Sequence, residues 1–360
     1  MSQSQIQRLE LPPGNTKQPY SLAQLSGEII YVPLSRSIIR LLVTGEETDK
    51  AFAVVALAGS GSDPIGFHFH REAHDTFLCL RGSVNIWAGD KCRTLGPGDY
   101  GSVPPPSKYT VHQYQVLGDH SEFTGVIFPG GWEEFFRDLG EPYSGPIFRY
   151  TDNRNPLEVL VPRAQKAHEL HDVVPVPDHP HVEPQPWPEN EDDCLPGELK
   201  PYFLKNDRGR KYIVGGLVTK PLTTTAESAG RFSIASVEGS SFHENGIFDT
   251  AFINFHGTHH CFYVTDGLID IEVRGAVNGS SRLSAGESVF IPAGADFRFQ
   301  FVSKYVKLYV FCNAGGLVEL LRDVGSDFAE PVPPETAQSW DAEKLNSQEL
   351  QSSLGYSLKN

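Results

Sequence analysis

His68 and His70 lie two apart in the run Gly66-Phe67-His68-Phe69-His70, and on an extended strand residues two apart project to the same face. Two imidazoles can therefore converge on one point while Phe67 and Phe69 face the other way. Asp75 follows after a short connection, just ahead of the apolar run Phe77-Leu78-Cys79-Leu80. That run reads as a returning strand which carries a carboxylate back beside the pair. Glu72 and His74 compete with Asp75 for the same place, and strand registry counted back from Gly82 favours Asp75. A further imidazole, His112, sits in the alternating run Val111-His112-Gln113-Tyr114-Gln115-Val116. Three imidazoles and a carboxylate suit a first-row divalent ion without discriminating strongly among Mn, Fe, Co, Ni, Cu and Zn. The expected cofactor is one divalent transition metal per chain, of open identity, held by His68, His70, His112 and Asp75.

The elements that must position these ligands read as short strands. Residues 28–32, 37–44 and 51–58 alternate or run apolar, with turn residues between them, and 34 glycines with 27 prolines in 360 residues fit a chain of many short strands. The fold class expected is all-β: two tandem jelly-roll β-barrels with a few short helices.

Two barrels rather than one follow from internal repetition. Residues 130–140 and 315–325 are similar, each with an apolar stripe at helical spacing between glycine stops. The stripes are Trp132, Phe135, Phe136 and Leu139 in one, and Leu317, Leu320, Leu321 and Val324 in the other. The same alignment lays residues 75–82 over 260–267 and 98–104 over 286–292. In the second copy Ile253 and Phe255 replace His68 and His70, and Phe297 stands near the place of His112, so no metal set is expected there. His243, His256, His259 and His260 do not reproduce a strand-borne pair with a later histidine and are read as turn or core residues. The expected order is an arm at 1–27, a metal-binding domain at 28–150, a Pro-rich and acidic linker at 151–205 containing a short helix near 162–171, a second domain at 206–330, and a tail at 331–360.

His68, His70, Asp75 and Gly82, then Gly98, Pro104 and His112, match in order the two motifs of the cupin superfamily: a His-x-His pair with a carboxylate and a glycine, followed by a glycine, a proline and a histidine. Residues 98–104 and 124–131, with Val43-Thr44-Gly45 and Ala51-Phe52, resemble the fungal quercetin 2,3-dioxygenases, double cupins that cleave a flavonol ring with molecular oxygen. Asp75 stands where that family usually has Glu, and Leu42 where an aromatic residue precedes Val-Thr-Gly. The resemblance implies a metal-dependent oxidoreductase, a dioxygenase acting with O2 on a phenolic or enolic aromatic compound, flavonol-like or polyketide-derived, with Asp75 as the catalytic base. Two other readings stay open: a different oxidation or rearrangement of a small phenolic intermediate in secondary metabolism, and a non-catalytic metal-binding or structural bicupin. Phe69, Trp87, Tyr109, Tyr114, Phe123 and Phe128 are candidates for an aromatic substrate pocket, against the plainer reading that aromatics at strand spacing are barrel core.

A formal net charge of −15 argues against a surface that tracks phosphates, so no nucleic-acid partner is expected. The longest apolar runs are far too short to span a bilayer, and the first ten residues lack the apolar core of a secretory signal. Five scattered cysteines without a Cys-x-x-Cys suggest free thiols in a reducing compartment. The cytoplasm is expected, where the Asn278-Gly279-Ser280 sequon would go unused. The partners expected are a small aromatic substrate and O2, with no membrane; a homodimer stays open.

Overall fold

In a computed structural model the described residues are 6–14, 18–61, 65–105, 110–188, 193–243, 246–248, 251–275 and 280–359. Tyr109, the acidic run 189–192 and the Asn278-Gly279 of the sequon lie outside them. Strand accounts for 42% and helix for 12%, which makes the chain all-β as its turn-rich sequence implies. Two compact units are present, residues 26–208 and residues 1–25 with 209–360.

In the unit of residues 26–208, the strands Glu28–Tyr31, Ser37–Val43, Ala53–Gly59, His112–Phe128, His74–Ala88 and Tyr100–Val103 pair in that order. Their inward faces bury Ile39, Leu41, Leu57, Phe77, Cys79, Val84, Ile86, Ala88, Val116 and Phe123 in one core. The inward set on His74–Ala88 changes parity, odd-numbered before Gly82 and even-numbered after it. Gly82 has φ +67°, and a Cβ added there would lie 2.6 Å from the His120 carbonyl oxygen, so the chain needs glycine at this bulge. The long partner strand His112–Phe128 shifts register opposite it, between Leu117 and Phe123.

The other unit repeats the plan with its strands divided between two sheets. His260–Asp266 and Leu268–Val273 correspond to the single strand His74–Ala88 and are joined at Gly267, whose φ is +73°. A local hydrogen-bond device is repeated too: the Thr44 N–H and Oγ1 donate to Glu47 at 2.8 and 2.7 Å, and the Thr224 N–H and Oγ1 donate to Glu227 at 2.9 and 2.6 Å. The helix Gly316–Val324 buries Leu317, Leu320, Leu321 and Val324 in the barrel core. Its counterpart Glu134–Leu139 is shorter and starts beyond Trp132.

The segments read as linker and tail carry more structure than their composition suggests. After the helix Val161–Leu170, Val174–Pro175 pairs with His68–Phe69. After the helices Ala342–Asn346 and Gln348–Leu354, Tyr356–Lys359 pairs with Phe252–Phe255. Each barrel is therefore closed by helix and then edge strand, and Pro175 is tolerated because an edge position does not need its N–H. Tyr202–Leu204 also pairs with Tyr100–Val103, while Tyr20–Leu22 from the N-terminal arm pairs with Ser288–Ile291.

Candidate metal centre

His68 and His112 are direct partners across the sheet, and His70 follows immediately after the short strand His68–Phe69. Their rings stand 4.3 Å (His68 to His112), 5.0 Å (His70 to His112) and 5.1 Å (His68 to His70) apart between centroids. One ligand nitrogen from each lies within 4.8 Å of the other two, and this is the one such group of three or more His, Cys, Asp or Glu among the described residues. The triad is placed to bind a metal.

The hydrogen bonds behind the rings test whether an ion fits. Each Nδ1 faces a backbone carbonyl: His68 toward Gly66 at 2.8 Å, His112 toward Thr110 at 3.3 Å, and His70 toward Asp172. A carbonyl can only accept, so each Nδ1 carries a proton, which leaves Nε2 as the nitrogen free to ligate an ion once it is deprotonated. The carboxylate of Asp75 completes the cluster, its Oδ2 3.1 Å from His70 Nε2 and 3.3 Å from His112 Nε2. Two Nε2 atoms converging on one carboxylate oxygen need positive charge among them, which a metal ion supplies in place of the imidazole protons. Asp75 is 8% exposed, and its Oδ1 is buried with no hydrogen-bond partner among the described residues, which leaves one more donor atom facing the site. The donor set fits a first-row divalent ion.

Electrostatics follow the same lines. Burial holds His68 well below the ordinary imidazole value, with the other two imidazoles adding to it, and burial likewise lowers His112. Neutral imidazole is the metal-binding form. For His70 burial also acts downward, but the charge and hydrogen bond of Asp75 outweigh it and the net shift is upward. Burial would raise Asp75, yet the charge of His70 and the hydrogen bonds of His112 and His70 hold it well below the usual carboxylate range.

The two rivals of Asp75 lie elsewhere. Glu72 is exposed, with its backbone N–H donating to Asp172 at 2.7 Å. His74, adjacent to Asp75 and so on the opposite strand face, has Nε2 2.8 Å from Ser102 Oγ.

Of the six aromatic candidates, Tyr114 and Phe123 face the interior, where their rings stand 5.2 Å apart and each lies within reach of Phe77. Phe77 in turn is 6.4 Å from the His112 ring. Phe69 lies between His68 and His70 and therefore on the other face. Phe128 is an odd number of residues from Phe123 on one strand and pairs with His74, again on the other face. Trp87 is turned outward by the bulge at Gly82: its ring packs on Phe67 and His181, and Nε1 donates to the Val182 carbonyl at 2.7 Å. Tyr109 is outside the described residues. Two residues at the centre have no site signal in the sequence: Trp132, which reads there only as part of an apolar stripe and whose ring meets His70 edge-on at 4.8 Å, and Asp172.

In the second barrel Ile253 pairs with Phe297 as His68 pairs with His112. Phe255 and Phe297 are each 1% exposed. His260 lies 4.7 and 5.4 Å from their rings, and its Nε2 accepts the Leu317 N–H at 3.1 Å.

No family model matches the chain. It is 24% identical over 323 residues to a quercetin 2,3-dioxygenase of Aspergillus japonicus, an alignment covering 83% of this chain and 90% of that one. It is 37% identical over 139 residues to a quercetin 2,3-dioxygenase of Bacillus subtilis, covering 39% of each. The chain is a double cupin that resembles these dioxygenases. Among solved structures, a variant oxalate decarboxylase of Bacillus subtilis superimposes with TM-score 0.49 at 16% identity, covering 83% of this double cupin and 77% of that chain. An oxalate decarboxylase of Lactobacillus farciminis in complex with formate gives TM-score 0.47 at 16% identity, covering 84% and 86%. No helix among the described residues of this double cupin is long and apolar enough to cross a membrane.

Proposed function

We propose that the chain is a metal-dependent oxidoreductase, a dioxygenase that acts with O2 on a phenolic or enolic aromatic compound. The observation that carries this reading is the Oδ1 of Asp75, without a hydrogen-bond partner among the described residues, beside three imidazoles whose ligand nitrogens lie within 4.8 Å of one another. His68, His70 and His112 would hold the ion, with Asp75 beside it. A redox-capable ion bound there supplies Lewis acidity toward a substrate hydroxyl and one-electron chemistry toward O2.

The chain's own residues do the rest. Asp75 is a carboxylate at physiological pH and takes the hydroxyl proton on Oδ1, which leaves the substrate as an oxyanion. Phe77, Tyr114 and Phe123 form an apolar wall inside the barrel that suits a flat aromatic ring and keeps water from it. Trp132 packs against His70 and holds that ring in place. Cys79, Cys92, Cys261 and Cys312 are buried free thiols, which supports a reducing compartment such as the cytoplasm.

The shorter Asp75, where the resembling family has Glu, favours a second reading: another oxidation or a rearrangement of a small phenolic intermediate. Oxygen uptake with a panel of flavonols and simpler phenols separates the two. Uptake with release of carbon monoxide identifies flavonol cleavage; uptake without it identifies another oxidation. No uptake, with the aromatic substrate converted to an isomer, identifies a rearrangement, and no turnover of any kind rejects the enzyme reading in favour of a binding protein.

A further inference from the structure

We propose that Asp172 is a positioning residue for the metal-binding hairpin, fixing the tautomer of His70 with its carbonyl and clamping the turn that joins His70 to Asp75 with its carboxylate. The inference rests on the reading of the His triad as metal ligands and adds a residue from a segment whose composition reads as linker. Asp172 Oδ1 accepts the Arg71 N–H at 2.9 Å, and Oδ2 accepts the Glu72 and Ala73 N–H groups at 2.7 and 3.4 Å. Three successive turn donors are thus satisfied by one side chain. The carbonyl of the same residue accepts from His70 Nδ1, which turns Nε2 toward His112 and Asp75.

Asp172 can do this because both of its flanks are anchored. On one side Ala167 of the helix Val161–Leu170 is buried in a cluster with Ala73, Trp132 and Phe135. On the other, Val174–Pro175 pairs with His68–Phe69 and the Val176 N–H donates to the Phe67 carbonyl at 2.8 Å. The strap runs along the strand that carries His68 and leads directly into His70, so the spacing of His68, His70 and Asp75 is set partly from outside the hairpin. The second barrel offers an internal comparison. There Gly355 holds the place equivalent to Asp172, ahead of the strand Tyr356–Lys359, and its carbonyl accepts the His256 N–H at 2.9 Å. A glycine brings no side chain to the turn, and the residue in the place of His70 is Phe255, which needs no tautomer fixed. The carboxylate clamp accompanies the imidazole set.

The Arg71 to Asp172 ion pair, at 3.6 Å and largely exposed on the Arg71 side, contributes little. What matters is the set of backbone donors. Groups that orient a ligating histidine from behind typically change metal affinity by about 10- to 100-fold when removed.

The test uses the full chain freed of metal and titrated with Co2+ against a competing chelator, reading affinity and the visible ligand-field bands together. Asp172→Ala keeps the carbonyl but removes the carboxylate that holds it and the turn beside His70. It should bind Co2+ more weakly by about 10-fold or more, within the range for lost support behind a ligating histidine, and with altered bands. Asp172→Asn keeps one acceptor oxygen and should fall between it and the unmodified chain. Lys166→Ala, which removes an ion pair to Asp138 at 2.7 Å in the same strap, should leave both readouts unchanged. Unmodified affinity and bands in a folded Asp172→Ala overturn the proposal, and if that variant does not fold, unmodified values in Asp172→Asn overturn it. An equal loss in Lys166→Ala also overturns it by showing general loosening of the strap. If the unmodified chain takes up no Co2+, the metal reading falls and the proposal with it, an outcome distinct from a failure of Asp172 alone.

Discussion

Asp75 pairs across the sheet with Val103 and Ile127, and His260 pairs in the same way with Ile291 and Cys312, so the two side chains hold equivalent places in the two barrels. Asp75 turns a carboxylate toward His70 and His112. His260 turns Nε2 toward the backbone of the helix Gly316–Val324 and lies among Phe255, Phe262 and Phe297. One position serves a polar cluster in the first barrel and an apolar core in the second.

That difference has a consequence for acid stability. Burial pushes His260 down to about 3, from an ordinary value of 6.5. Protonation would also remove its acceptor and place a positive charge at a helix N-terminus. Below pH 6.5 the unfolded chain takes up a proton that folded His260 refuses, so stability is full above that pH and is lost as pH falls toward 3. The loss from this one group is at most about 1.4 kcal/mol per pH unit. Denaturant melts at pH 7 and pH 4.5 should show a smaller drop in His260→Gln than in the unmodified chain; an equal drop would show that His260 does not titrate in this way.

Asp75→Asn keeps the size of the side chain and removes the base. It should retain metal while turnover falls by about 10²-fold or more, the usual scale for losing a general acid or base. Glu72→Gln, altering an exposed side chain, should be mild. Steady-state rates on metal-loaded proteins decide this, and a collapse in Glu72→Gln with Asp75→Asn still active would move the role to Glu72.

Leu320 is fully buried in the second barrel. Leu320→Ala should cost about 2 to 5 kcal/mol by opening a cavity, with the metal content of the first barrel unchanged. Chemical denaturation and metal analysis of the same preparation check both halves.

Much of this could be read from residue spacing. The period-two pattern of His68 and His70, the placement of Asp75 ahead of Gly82, and the paired stripes of Trp132, Phe135, Phe136 and Leu317, Leu320, Leu321 already give two barrels and a histidine cluster in the first. Other features escaped for physical reasons. Trp87 shares the odd parity of Asp75, Phe77 and Cys79 and would face inward on an unbroken strand, but the bulge at Gly82 inverts the alternation. Phe69 and Phe128 fall to parity alone. The strap around Asp172 and the closing strand Tyr356–Lys359 are short, polar or proline-bearing, and they are ordered by pairing with distant strands rather than by any local periodicity.

Elemental analysis of the purified protein tests the central claim most directly. The account predicts close to one transition-metal ion per chain, lost for the most part in His68→Ala and in His112→Ala, and retained in His260→Gln. Two ions per chain, or full occupancy in both His68→Ala and His112→Ala, would contradict it.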